Sequence, residues 1–217
     1  MLLEIIIELR YNYIKRGDWM VYRTHVMFAM SVAFIPVLTE EGREIYLSFG
    51  NTGLILALAT VYLFSLLPDF DEPNSFLSRK FPFNIVSNIL ALFTRHRGIT
   101  HRFVAIAVVV GLFCALIKVS EYTQYCYLGY FAAIAYFVHL LGDAMTVGGI
   151  KRFWYPLSKK TFWVIPKPFR LKLVFTKDGV RPGLKENFLF FIFSAIFSAE
   201  LLLLMKTQVE QFLNSVS

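Results

Sequence analysis

Residues 52–71 read TGLILALATVYLFSLLPDFD. Seventeen residues without a charge end in a proline, and two aspartates, Asp69 and Asp71, follow within three positions. A run of that length sits at the lower limit for a membrane-spanning helix, about 17–25 residues. Acid placed at its very end is acid at a membrane surface.

Four more apolar segments share this form, at roughly residues 24–38, 103–119, 125–141 and 187–205. Hydrophobic residues make up 57% of the chain and charged residues only 17%, against about a quarter in a soluble protein. Mean hydropathy is +0.57. The expected fold is all-α, a polytopic membrane helical bundle of about five spans. The first segment is short and extends backward through Trp19 and Met20, with Tyr22 suited to the interface. A weaker run, PFNIVSNILALF (82–93), carries Asn84, Ser87 and Asn88 and reads as an interfacial or re-entrant helix. Residues 1–19 read as an amphipathic surface segment or a start extension, with Met20 as the alternative start. Residues 20–217 read as one membrane-embedded domain. With no small-residue cleavage site and a long charged stretch before it, the first apolar segment does not read as a signal peptide. Cys114 and Cys126 form no CxxC or disulfide framework and read as lipid-embedded thiols.

Loop charge sets the expected orientation. Of 22 Lys and Arg residues, 19 fall before the first span or in the loops 69–102 and 142–186. Arg43, Lys118 and Lys206 are the 3 on the opposite face. By the positive-inside rule the N-terminus is cytoplasmic, and the chain reads as a multi-pass protein of the cell inner membrane. The net charge of +7 is thereby explained as loop bias. The loop stretch KKTFWVIPKPFRLKLVFTKDGVRPG (159–183) mixes cations with aromatics. It suits contact with lipid heads and a short β-hairpin, pairing 162–165 with 171–175 or returning after Gly179. A single-stranded nucleic-acid groove has similar composition, but no nucleic-acid-binding fold is visible, so nucleic acid is not an expected partner.

On this topology every histidine reaches one face. His25 (YRTH) opens the first span, His96 and His101 (RHRGITH) precede the third, and His139 (HLLGD) ends the fourth together with Asp143. Asp69 and Asp71 end the second. His139 and Asp143, four apart, share a helix face and can hold one ion. Taken singly, each motif has a plain structural reading: a helix-end His–Asp bond, a capping acid, a packed histidine. Gly98 allows a bend that brings His96 and His101 together, and Thr100 is placed to cap the third span. The convergence of all seven (His25, Asp69, Asp71, His96, His101, His139, Asp143) reads as a metal site. Imidazole and carboxylate without thiolate suit a divalent ion: zinc, with manganese or iron as alternatives. Seven candidates exceed the three protein ligands of one catalytic zinc, so a two-metal site is open, as is a role for some of them in orienting the others.

Three stretches then carry a family resemblance: LLPDFDEPNSFLSRKF (66–81), HRGITHRF (96–103) and HLLGDAMTVGGIKRFWYPL (139–157). Over roughly residues 20–166 the chain resembles the membrane-bound metal-dependent hydrolase family typified by YdjM and YbcI. That family shows an early TH or GH, then PDIDHP-x-SFLG, HRGxTHS and HxxxDxxTxxGxxxxWP. The chain departs from it at Glu72, where many members have His, at Arg102, where Ser is usual, and at Tyr155, where Trp precedes the proline. The order Asp, His, HxxxD is also loosely similar to zinc-dependent phospholipase C enzymes, an analogy only.

The expected function is a membrane-embedded, metal-dependent hydrolase working at the cytoplasmic interface. A divalent metal activates water for attack, and a carboxylate not engaged as ligand, Glu72 or Asp69, takes the proton. Arg97 and Arg102 lie beside the histidines and suit an anionic group such as phosphate, although Arg97 equally suits a headgroup or a pair with Asp71. A phosphoester or similar bond in a lipid-type substrate fits these features. The competing reading is a metal-ion or proton transporter, since intramembrane His and Asp often mark ion paths. Against it, the spans carry almost no ionisable residue near their midpoints, Glu200 being the exception.

Overall fold

The computed structural model describes residues 20–71, 75–80, 84–85, 87–88, 98–120, 122–173 and 183–216. Among these, six helices follow one another. They are α1 (Tyr22–Phe34, continued by a 3-10 turn Ile35–Leu38), α2 (Glu40–Ser48), α3 (Gly50–Leu66, continued by a 3-10 turn Leu67–Asp71), α4 (Phe103–Val119), α5 (Leu128–Met145) and α6 (Leu184–Val216). Three stretches, Gly50–Asp71, Thr123–Met145 and Leu184–Val216, are long and apolar enough to cross a membrane. Tyr22–Leu38 and Phe103–Val119 are shorter apolar helices, and α4, at 17 residues, sits at the lower limit for a span. The all-α membrane architecture read from the sequence is the observed one.

Lipid tails are as apolar as leucine, so helix association here depends on close packing rather than on the hydrophobic effect. Small residues supply it. Ala29 and Ala33 of α1, Ala57 of α3, and Ala132 and Ala135 of α5 are all fully buried. Their missing side chains let α1, α3 and α5 approach closely as the inner layer. Two thirds of the most apolar stretch of Thr123–Met145 is buried, against 11% for Leu184–Val216. α4 is also peripheral, with Ala105 its one buried residue. Away from the histidines, an aromatic group seals the core: Phe34, Tyr46, Phe49, Tyr127 and Phe131 meet in stacked and edge-on pairs. The Tyr46 hydroxyl donates to the Ala33 carbonyl.

Local chemistry explains the element ends. Thr39 caps α2 by accepting the Gly42 N–H at 3.1 Å, and Glu40 and Glu41 stand in its first turn, where the helix dipole favours acid. Gly50 starts α3 at φ 68°, a left-handed conformation that glycine adopts without cost. The last carbonyls of α5 have no partners within the helix. The following loop folds back to supply them: Val164 N–H donates to Ala144 at 3.2 Å and Leu171 N–H to Met145 at 3.0 Å.

Two expectations about loops are corrected. A ladder does form in the basic loop, but it pairs β1 (Ile150–Lys151) with β2 (Thr161–Phe162), antiparallel, with Ile150 opposite Phe162. Phe162 is drawn to Ile150 because it stacks on Phe153, 4.8 Å between ring centroids, just after β1. Leu171 instead bridges Thr146, in parallel. Thr100 does not cap α4. Arg102 holds the N-cap position with extended backbone, and the Thr100 hydroxyl sits 3.2 Å from His101 Nδ1. The segments 1–19, 89–97 and 174–182 lie outside the described residues. Of the stretch 82–93 only 84–85 and 87–88 are described, and they are helical.

This packing makes a direct prediction. Ala132→Leu overfills the inner layer and should cost about 1–3 kcal/mol, seen as a lower melting temperature by circular dichroism in mild detergent. Leu116→Ala, on the exposed face of α4, should change stability by less than about 0.5 kcal/mol. Equal melting temperatures for the two variants would contradict the inner-layer assignment.

Candidate metal centre

Four helix ends meet at one end of the bundle. α1 brings His25 in its first turn, the turn after α3 brings Asp69 and Asp71, and the residue before the α4 N-cap is His101. α5 brings His139 and Asp143 in its last two turns. His25, His101, His139 and Asp143 are all buried, and the Asp69 side chain keeps about a fifth of its surface exposed.

His139 sets the chemistry. Its Nδ1 lies 2.6 Å from the Ser65 carbonyl. A carbonyl only accepts, so Nδ1 carries a proton and donates it, and Nε2 is turned toward the carboxylates. The Ser65 carbonyl is available because it belongs to the last turn of α3, and Pro68, three residues on, has no N–H to offer it. The proline of PDFD thus helps to orient a histidine on another helix.

Around Nε2 the acceptors crowd. His139 Nε2 is 3.6 Å from Asp69 Oδ1 and 3.9 Å from Asp143 Oδ2. His101 Nε2 is 3.2 Å from the same Asp143 oxygen and 3.6 Å from the same Asp69 oxygen. Three of these four separations, 3.6–3.9 Å, are too long for a hydrogen bond, while His101–Asp143 at 3.2 Å is within reach of one. A cation could sit among all four groups. Four donors around a tetrahedral ion with bonds of about 2.0–2.1 Å would stand about 3.3 Å apart, close to the separations found. The nitrogen and oxygen donor set, without sulfur, suits zinc, manganese or iron. Asp69, His101 and His139 form one group able to hold an ion, and His25, His139 and Asp143 form another.

Both groups use His139, and its Nδ1 is committed to Ser65. One remaining lone pair serves one ion at a time, so the two groups cannot both be filled through this ring. Asp143 joins them differently: its Oδ2 faces His101 and His139, while its Oδ1 lies 3.5 Å from His25 Nε2. His25 stacks on His139 with centroids 3.8 Å apart and planes 14° apart.

The other sequence candidates separate. Asp71 is buried but stands outside both groups. It accepts the Gly98 N–H at 3.0 Å and so anchors the loop that carries His101. Tyr136 helps from α5, its hydroxyl donating to the Thr100 carbonyl at 2.6 Å. Arg102 lays its guanidinium 4.4 Å over the Tyr155 ring. Glu72, His96 and Arg97 lie outside the described residues. Three contributors were not singled out from the sequence. Gly142 leaves room for His25: a Cβ there would stand 3.1 Å from the imidazole. Glu186 of α6 is buried and accepts the Val21 N–H at 2.9 Å, one turn before His25. An acid in a first helical turn is ordinary, so nothing in the sequence marked it. Ser65 acts through its backbone, which no side-chain pattern reveals.

Comparison with known proteins gives this arrangement a family. The family model described as YdjM inner membrane protein matches residues 20–208, and the chain belongs to that family. The resemblance carried by the PDFD, HRGITH and HLLGD motifs is thereby borne out, and with the apolar helices it assigns an inner-membrane location. Among curated proteins the chain is similar to the inner membrane protein YdjM of Escherichia coli (strain K12) and to that of Shigella flexneri. Each is 31% identical over 136 residues, covering 59% of this chain and 58% of the relative. The match spans less than two thirds of those relatives' length. No solved structure matches the chain.

The close approach at Gly142 is testable. Gly142→Ala should displace the His25 ring and expose it, so that His25 becomes modified by diethyl pyrocarbonate, read by peptide mass spectrometry. Gly111→Ala, where a Cβ meets nothing within 4 Å, should leave His25 protected. Equal protection of His25 in both variants would contradict the role given to Gly142.

Proposed function

We propose that this chain is a membrane-embedded, metal-dependent hydrolase that cleaves a phosphoester or similar bond in a lipid-type substrate, at the cytoplasmic end of its helical bundle. The single observation that carries this reading is the convergence of two imidazole nitrogens and two carboxylates from separate helix ends, 3.2–3.9 Å apart, a spacing that suits ligands around one ion. Asp69, His101, His139 and Asp143 would hold one divalent ion, zinc first among the candidates. His25 holds the far oxygen of Asp143 and fixes that carboxylate's angle. The cytoplasmic placement rests on the distribution of Lys and Arg, 19 of 22 on the side of the cluster.

A bound divalent ion supplies Lewis acidity and makes water a nucleophile near neutral pH. The chain does the rest. Ser65 keeps a proton on His139 Nδ1, so the ring would bind through Nε2. Asp71 and Tyr136 hold the 98–101 loop so that His101 meets Asp143. Asp69, the member with exposed surface, marks the side from which water and substrate arrive. Glu72 follows that acidic turn directly and is the proposed proton acceptor, with Asp69 in that role if it is not engaged as a ligand. Arg102, and Arg97 in the same loop, are the proposed contacts for an anionic head.

Transport of metal or protons has one observation in its favour, the buried Glu200 of α6. Glu200 lies near Tyr46, at the end of the bundle away from the histidines. The groups able to hold an ion lie at the histidine end and do not include Glu200, so hydrolysis is favoured.

His139→Ala and Asp143→Ala should each lower bound metal by about tenfold or more, as loss of one ligand costs at least ~1.4 kcal/mol, measured by plasma mass spectrometry on protein purified in mild detergent. Glu200→Gln should keep its metal. The same two cluster variants should abolish metal-dependent turnover of a panel of phospholipids and soluble phosphoesters. Unchanged metal content in both cluster variants would overturn the assignment, and metal flux into liposomes without turnover would favour the transporter.

A further inference from the structure

Beside the cluster lies a cleft of about 360 Å³ that the metal chemistry does not use. One wall is a face of α4: Val104, Ala105, Val108 and Val109, positions that fall together on a 3.6-residue helix. Tyr136, Tyr155 and Pro156 also line the cleft. The polar end, Thr100 and Arg102, is at the level of the cluster, because His101 lies between them. From there the apolar wall runs down α4 by about 7.5 Å, at about 1.5 Å per residue. α4 is peripheral, and Val104 and Val108 are each about half exposed, so the cleft opens sideways toward hydrocarbon and not only upward to water.

We propose that this cleft is the lateral entrance for the substrate and binds one acyl chain of an anionic lipid, its head held at Arg102. The inference rests on the reading of the cluster as a hydrolytic centre acting on a membrane amphiphile. Charge complementarity names the occupant. Arg102 Nε is buried without a hydrogen-bond partner among the described residues, and its guanidinium is held over Tyr155, oriented and available to an anion. The wall below is wholly aliphatic. The volume lies at the low end for ligand pockets, about 300–1,000 Å³, which fits one chain rather than two. A continuous link joins the cleft to the chemistry: Tyr136 bonds the Thr100 carbonyl, and the Thr100 hydroxyl contacts His101 Nδ1. A head seated at Arg102 is therefore one residue from a proposed ligand. Arg102 would give this chain its preference for an anionic head.

Photo-crosslinking tests this without requiring turnover. The full chain, reconstituted in phosphatidylethanolamine vesicles with a minority of phosphatidylglycerol, is exposed to a phosphatidylglycerol or a phosphatidylcholine carrying a diazirine in one tail. Labelled peptides are then mapped by mass spectrometry. Labelling should concentrate on residues 104–109 and 155–156 and should favour the anionic probe. Val108→Trp should lower it there by about tenfold, while Ile55→Trp on the exposed face of α3 should not. Arg102→Gln should remove the preference for the anionic probe but keep the labelled positions. Labelling spread evenly over exposed residues such as Leu112, Leu116 and Phe191, or indifferent to Val108→Trp, would overturn the cleft. Concentrated labelling in a protein that binds no metal would uphold the cleft and overturn the hydrolase reading alone.

Discussion

One hydrogen bond organises the polar end of this protein: His139 Nδ1–H to the Ser65 carbonyl. It joins α5 to α3, and it decides which nitrogen of the ring faces inward. With a proton held outward on Nδ1, Nε2 is turned toward the carboxylates. An isolated charge buried in protein costs several kcal/mol even after relaxation. Two carboxylates and two imidazole nitrogens, 3.2–3.9 Å apart, form a site that could hold a divalent cation.

The rest of the bundle places those groups. Alanines at the contacts of α1, α3 and α5 bring the helix axes close enough for side chains from three helices to reach one point. The close approach is continued at the site itself, where Gly142 admits His25 against His139. The loop after α5 then supplies N–H groups to the last carbonyls of that helix, so the end carrying Asp143 is bonded into its surroundings. Thr146 adds to this, its hydroxyl donating to the Asp143 carbonyl at 2.8 Å. Rigid ligand placement is what a metal site on helix ends needs, since a carboxylate that swings loses the geometry of its ion.

Much of this was legible in the sequence, because its logic is periodic and topological. Apolar runs of spanning length alternate with polar turns, so histidines and aspartates at alternate ends of successive runs must share a face. That argument needs only hydropathy, and it placed Asp69, His101, His139 and Asp143 together. What it missed depends on approach rather than pattern. Asp71 resembles Asp69 in sequence but points to Gly98, since in a 3-10 turn residues two apart do not face the same way. Thr100 stands where a cap is expected, yet α4 begins later and its hydroxyl turns to His101. The loop ladder follows the stacking of Phe153 on Phe162, a contact that alternation alone does not specify. Gly142 and the Ser65 carbonyl act by absence and by backbone, which leave no side-chain signature. The two-metal expectation also narrows, since His139 brings one lone pair to both groups.

X-ray absorption at the zinc edge of metal-loaded protein tests the central claim most directly. Two imidazole nitrogens and two carboxylate oxygens at about 2.0–2.1 Å are expected, with the multiple scattering that ordered imidazole rings produce. The His139→Ala spectrum should lose one imidazole. A shell of oxygens alone, without imidazole scattering, would contradict the account.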